Sequence, residues 1–135
     1  MYVSSEKFTN QFLTALKDNS TNDFIHFYQQ IDVLVIDDIQ FFANKQKTQD
    51  IFFHIFNHLH QNGKQLILTS DRAPKDLENM EERLLSRFKW GLTTDLQTPD
   101  YDTRISILHK KLHADGIEMN EDVTRFIATN IKTNV

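Results

Sequence analysis

Val33 to Asp38, read as VLVIDD, is an apolar run that ends in two adjacent carboxylates. On a buried strand this pattern suits a nucleoside triphosphate site, the Walker B arrangement. One carboxylate (Asp37) holds Mg²⁺, usually through water, and the other (Asp38) orients or deprotonates the attacking water. A turn whose acids cap the following helix would look the same over these residues. A second apolar run closes in the polar group Thr69-Ser70-Asp71, followed by Arg72. Arg83 and Arg87 are four apart and share one helix face, with no acid three or four residues away on that helix. Like charges at that spacing repel mildly, and an external anion such as a neighbour's γ-phosphate would relieve the repulsion. Two solvated surface arginines are the plainer reading. His54 and His58 share the same spacing, but the Glu of the zinc-protease motif is missing between them and both lie opposite an apolar face, so they are read as solvent-facing. Lys45 and Lys47 follow the acid pair in a polar loop, open to solvent or to phosphate.

The acids need a strand to carry them, and the pattern supplies one. Ile31 to Ile36 is apolar apart from Asp32 and rich in β-branched residues, as expected of a strand covered on both faces. A helix from about Thr48 to Gln61 follows, with Phe52, Ile55, Phe56 and Leu59 toward the core, and Asn62-Gly63 ends it. Gln65 to Thr69 is the next strand. Two strands joined by a helix form a βαβ unit in a parallel sheet, whose ligands gather beyond the strands' carboxyl ends. Asp37, Asp38, Thr69, Ser70 and Asp71 would converge there.

Upstream, Met1-Tyr2-Val3 reads as the tail of a strand. Ser4 or Ser5 caps a helix with Phe8, Phe12, Ala15 and Leu16 on one face and Leu13 well off it. A helix from about Asn22 to Gln30 follows. Downstream come a helical turn at Pro74, a helix over Met80 to Phe88, and a third strand over Trp90 to Leu96. A helix starts near Thr98-Pro99, with Tyr101, Ile105, Leu108 and Leu112 inward, and a last one is capped by Asn120 and bears Val123, Phe126, Ile127 and Ile131. The pattern is α/β giving way to all-α.

Composition narrows the class. The chain has 135 residues, 11 of them Phe, a net charge of −4 and no cysteine, which excludes disulfides and thiolate metal sites. No apolar run approaches the ~18 residues of a membrane span, no signal-peptide pattern opens the chain, and a cytoplasmic protein is the default. With three Gly and two Pro, no phosphate-cradling glycine loop occurs. A phospho-receiver domain also begins with an apolar strand and an acid pair, but here 30 residues precede that strand and the second run ends in Thr-Ser-Asp rather than at a phosphorylatable Asp.

In order, Tyr2 to Phe8; Val33 to Ala43 with Lys45, Thr48 and Gln49; Phe52 to Asn57; Leu68 to Arg72; Glu82 to Phe88 (ERLLSRF); Trp90-Gly91-Leu92; Pro99-Asp100; Arg104; and Asn134-Val135 closely resemble the AAA+ domain of the DnaA family of bacterial chromosomal replication initiators. The resemblance covers essentially the whole chain. It implies a partial P-loop NTPase sheet flanked by helices over 1–97, without the Walker A strand and loop, and the start of a helical lid over 98–135. It implies ATP and Mg²⁺ as ligands, with Asp37 and Asp38 as Walker B and Asp71 in sensor 1. Arg87 becomes the arginine finger offered to a neighbouring subunit's ATP, supported by Arg83. Leu13 and Lys47 fall where the family lines a channel for single-stranded origin DNA. The implied function is ATP-dependent initiation: origin binding, self-assembly with ATP and duplex unwinding, with the replicative helicase and regulators as further partners.

AAA+ proteins commonly carry Asp-Glu in Walker B, and the shorter Asp38 fits a slow switch rather than a motor. Walker A, the sensor 2 Arg and a helix-turn-helix are missing from these residues, so an internal fragment of a longer protein is expected, binding ATP weakly by itself. The alternative is a related AAA+ adaptor that controls the initiator's ATP state without a DNA-reading domain. A clamp-loader or helicase-loader relative fits less well, because Asp-Asp-Ile-Gln-Phe-Phe is not their usual wording.

Overall fold

Ser4 decides where the first helix begins. Its side chain accepts a hydrogen bond from the Lys7 amide at 3.2 Å, which satisfies one of the free N–H groups at the helix start. In the computed structural model, which describes residues 1–131, strand β1 (Tyr2–Ser4) thus runs directly into helix α1 (Ser5–Lys17). Helix α2 (Thr21–Gln29), strand β2 (Val33–Asp37), a 3₁₀ turn (Ile39–Phe42) and helix α3 (Gln46–Gln61) follow. Gly63, at φ 67°, takes the left-handed position that closes α3 before strand β3 (Gln65–Leu68). A 3₁₀ turn (Pro74–Asp76) and helix α4 (Glu82–Phe88) complete a first compact unit that ends at Leu92.

The three strands form a parallel sheet in the order β1-β2-β3. Tyr2 lies beside Val35 and Ser4 beside Asp37, while Val35 lies beside Ile67 and Ile36 beside Leu68. Each strand turns alternate residues to opposite faces, so these rows share a face. Val3, Leu34 and Ile36 are buried on one side, with Phe8, Phe12, Phe42, Phe52, Ile55 and Leu59 in the same core. Phe8 is its hub: the rings of Tyr28, Phe24, Phe42 and Phe52 stand edge-on to it at 4.9, 5.2, 5.6 and 5.7 Å. Such edge-to-face pairs each contribute about 0.5–1.5 kcal/mol beyond area burial.

Several expectations fail here for identifiable reasons. Among the described residues of this unit the sheet is covered on one face, not two, for Tyr2, Val33 and Ile67 are exposed on the other. The expected strand at Trp90 to Leu96 is absent, and Leu92 is 96% exposed. A strand persists only beside a neighbour offering free N–H and C=O groups, and this segment pairs with none among the described residues. Leu16 is exposed, because α1 buries the narrower stripe Ser5, Phe8, Thr9, Phe12 and Ala15.

A second unit begins at Thr93. Asp100 caps helix α5 (Tyr101–Asp115), just past Thr98-Pro99, by accepting from the Thr103 amide at 2.8 Å. Asn120 caps helix α6 (Glu121–Asn130), as the sequence suggests. Arg104 ties the two, donating to the carbonyl of Ala128 at 2.8 Å and to that of Pro99 at 2.7 Å. Thr124 and Ala128 are the buried residues of α6, whereas Tyr101, Val123, Phe126 and Ile131 are exposed, since two helices alone cover one stripe of each. Asn134-Val135 lie outside the described residues.

Candidate functional site

β2 and β3 end side by side, and their polar ends are bonded to one another. Thr69 donates its hydroxyl to Asp37 Oδ1 and accepts from the Asp38 amide at 3.0 Å. The Ile39 amide donates to the Thr69 carbonyl at 2.9 Å. From β1, Tyr2 donates its hydroxyl to the other carboxylate oxygen of Asp37 at 2.5 Å. The β1–β2 register sets this up, because Tyr2 stands beside Val35 on the face that Asp37 shares two residues on.

Two donors on its carboxylate hold Asp37 below the usual range, the Thr69 hydroxyl contributing most and Tyr2 next. The same bond, with burial behind it, pushes the Tyr2 phenol up. Each Asp37 oxygen retains a lone pair, so the group stays available as a ligand.

Asp38 lies just past the strand with φ 59° and ψ 54°, a left-handed conformation. Its carbonyl accepts from the Ser5 hydroxyl at 2.7 Å and its Oδ1 from the Gln40 amide at 3.0 Å. The Asp38 carboxylate makes no bond to an amide of α3, which counts against the acids as a cap for that helix. Asp71 is less engaged with the pair: Arg72 grips its two oxygens at 2.8 Å each and lowers its pKa. Asp37, Asp38 and Thr69 thus form one bonded group, with Asp71 two residues past Thr69.

The arginines form a separate cluster on α3 and α4. Arg83 is not the unpaired residue that helix spacing suggests. It pairs with Glu81 and with Asp50 on α3, 33 residues away in sequence. Arg87 makes no ion pair or side-chain hydrogen bond among the described residues. Leu13 is 43% exposed on α1, off the core as expected, and Lys47 is exposed in the first turn of α3. His54 is exposed and His58 half-buried, and no group of three metal-binding side chains occurs among the described residues.

Gln49 escaped the sequence reading as a structural residue. It is 1% exposed, donates to the carbonyls of Phe42 (2.9 Å) and Asn79 (3.0 Å), and accepts from the Glu81 amide at 2.8 Å. It therefore ties the turn after the acids to the start of the arginine helix. The signal was a polar residue three before Phe52 on an otherwise apolar helix face. Tyr2 was missed because its role depends on the strand register.

A family model described as "Bacterial DnaA ATPAse domain" matches residues 1–95. The chain belongs to the bacterial DnaA family. The DnaA initiator of Flavobacterium psychrophilum is 61% identical over all 135 residues, which span 28% of that protein's length. A solved structure of domain III of Thermotoga maritima DnaA superposes with a TM-score of 0.95 at 42% identity, covering 99% of this chain and 56% of that one. A replication initiator DnaA bound to AMPPCP and single-stranded DNA superposes with a TM-score of 0.92 at 37% identity, covering 98% of this chain and 41% of that one. The parallel-sheet AAA+ fold expected from the motifs is thereby established. Among the described residues no helix is long and apolar enough to cross a membrane.

The donor set fits Mg²⁺ with a nucleotide. Asp37 and Asp38 offer hard carboxylate oxygens of the kind that cation takes.

Proposed function

We propose that these residues are the Walker B to arginine-finger part of a DnaA initiator that binds ATP, assembles on the replication origin and opens the duplex. The bonded group Asp37–Thr69–Asp38 across two adjacent strand ends carries the reading. It puts an acid pair at a strand's carboxyl end, where open α/β sheets take their ligands. Binding of AMPPCP and single-stranded DNA by a relative of the same fold supports it.

In this reading Mg²⁺, when bound, offsets the charge of the triphosphate. Asp37, kept ionised by Thr69 and Tyr2, is its carboxylate ligand. Asp38 positions the attacking water, and Asp71 reports on the γ-phosphate. Arg87 reaches the ATP of an adjacent subunit. Arg83, neutralised by Asp50 and Glu81, braces α4 in place for that contact. Leu13 and Lys47 contact single-stranded origin DNA. The lid begins near residue 98, the setting is the cytoplasm, and the helicase and regulators engage the whole protein.

A mixing experiment tests the division of labour. In the intact protein, Asp37→Asn damages the cis site and Arg87→Ala removes the finger. Each variant alone should lose ATP-dependent assembly. Mixed together, subunits with an intact ATP site can sit beside subunits with an intact finger, so part of the assembly signal should return. A mixture no better than its components would refute the trans role of Arg87.

A further inference from the structure

Arg87 has donors to spare, yet its guanidinium is not loose. Its carbon lies 4.1 Å from the ring centre of Trp90 and 5.8 Å from that of Phe53. We propose that Trp90 and Phe53 are positioning residues for Arg87: they grip its flat faces and leave its N–H edge free for an anion. The inference deepens the reading of Arg87 given above and rests on it.

The slot follows from local geometry. α4 ends at Phe88, and the Trp90 amide closes a turn by donating to the Arg87 carbonyl at 3.0 Å. That turn swings the indole back over the side chain three residues before it. Phe53 comes from α3, one turn after Asp50, on the side that faces α4. Helix α3 supports the indole too: the His60 ring lies 5.6 Å from Trp90 and is stacked on Phe56 at 6.1 Å, with 9° between planes. The indole therefore has neighbours on α3 as well as on α4.

The chemistry separates the two arginines. Arg83 also lies over Phe53, at 4.7 Å, but its edge is used by Asp50 and Glu81. The Arg87 carbon lies over two aromatic rings, and no acid among the described residues pairs with it. Aromatic faces hold a guanidinium without consuming its N–H donors, so the group is oriented while its donors remain available for phosphate oxygens. A carboxylate partner would hold it as well but would compete with the phosphate. Trp90 is more than half exposed, so the slot lies at the surface, within reach of another subunit.

The test is ATP-dependent assembly of the intact protein, followed by sedimentation, with Trp90→Ala, Trp90→Leu and Trp90→Tyr in otherwise wild-type and Arg87→Ala backgrounds. Trp90→Ala should raise the concentration needed for half-assembly roughly 2- to 30-fold, the range one cation–π contact supplies. Trp90→Tyr should restore most of the loss because it keeps a π face. Trp90→Leu, which restores apolar bulk alone, should not. In the Arg87→Ala background Trp90→Ala should add no further loss, because there is no guanidinium left to orient. Rescue by Leu, or losses that add in the double variant, would overturn the positioning role while leaving Arg87 as the finger. If Arg87→Ala itself assembles normally, the finger assignment falls and the slot's purpose falls with it.

Discussion

Replacing Gln49 should do more damage than its type suggests. Gln49→Leu keeps most of the volume and removes three hydrogen bonds at once. The carbonyl of Phe42 keeps its bond from the Lys45 amide at 3.0 Å and that of Asn79 its bond from the Asn44 amide at 3.1 Å, so each loses one of two donors and neither is left unpaired. The Glu81 amide loses its side-chain acceptor, in a partly buried bond where water can replace it. Each of the three lost bonds is worth about 0.5–1.5 kcal/mol. Set against roughly 1 kcal/mol gained from a better-buried apolar side chain, the net is about 2 kcal/mol of lost stability. Gln49→Glu is closer in shape and should be worse. It replaces the amide NH₂ with an oxygen facing two carbonyls at 2.9 and 3.0 Å. That carboxyl is stabilised in its neutral form, so its folded pKa rises. Stability is then greatest below the unfolded value of about 4.3 and is lost as pH rises through the folded one. Urea unfolding of the intact protein, read as a shift in midpoint at constant m, measures both. A Gln49→Leu variant within about 0.5 kcal/mol of wild type, below the usual worth of even one such bond, would refute the reasoning. So would a Gln49→Glu variant milder than Gln49→Leu.

Removing the Thr69 hydroxyl by Thr69→Val should raise the Asp37 pKa toward the ordinary aspartate value, seen in carboxyl ¹³C NMR; no upward shift would contradict the bonded group. The sign for wild type follows from a depressed folded pKa: the Asp37 contribution is present above about pH 3.9 and is lost as pH falls through the lower folded value. Arg104→Lys cannot reach both carbonyls that Arg104 bonds, and should weaken the α5–α6 pair by about 2 kcal/mol, read from hydrogen exchange in α6. Calorimetry on the 135 residues alone should find no micromolar ATP binding, because backbone amides of a glycine loop supply most phosphate affinity and this sequence has no such loop.

Local patterns announced the βαβ unit well. The run into Asp37 and Asp38, the α3 stripe and the Asn62-Gly63 stop are each set by nearest neighbours, and each formed close to where periodicity put it. What escaped depended on contacts far along the chain. Arg83 looked unpaired because its acid on α3 is invisible to helix spacing. Tyr2 gained its role from a register, and Gln49 from three backbone groups that no short window contains. Trp90 to Leu96 failed in the opposite sense: its composition suits a strand, but a strand is a property of two segments. The apolar β2 run shows the same limit, since its composition suits burial on both faces while the described residues cover one.

The left-handed backbone at Asp38 bears on how readily this site can change. A side chain there meets the carbonyl that follows it, at a cost of about 1–2 kcal/mol that Asp and Asn bear more easily than longer residues. The hydrogen bonds from Ser5 to the Asp38 carbonyl and from Gln40 to its carboxylate then fasten the turn. The short second acid is thus favoured by backbone shape as well as by chemistry. A lineage adopting Glu at this position would first have to rebuild the turn. The choice of acid at this position is then held in place by one residue's φ angle.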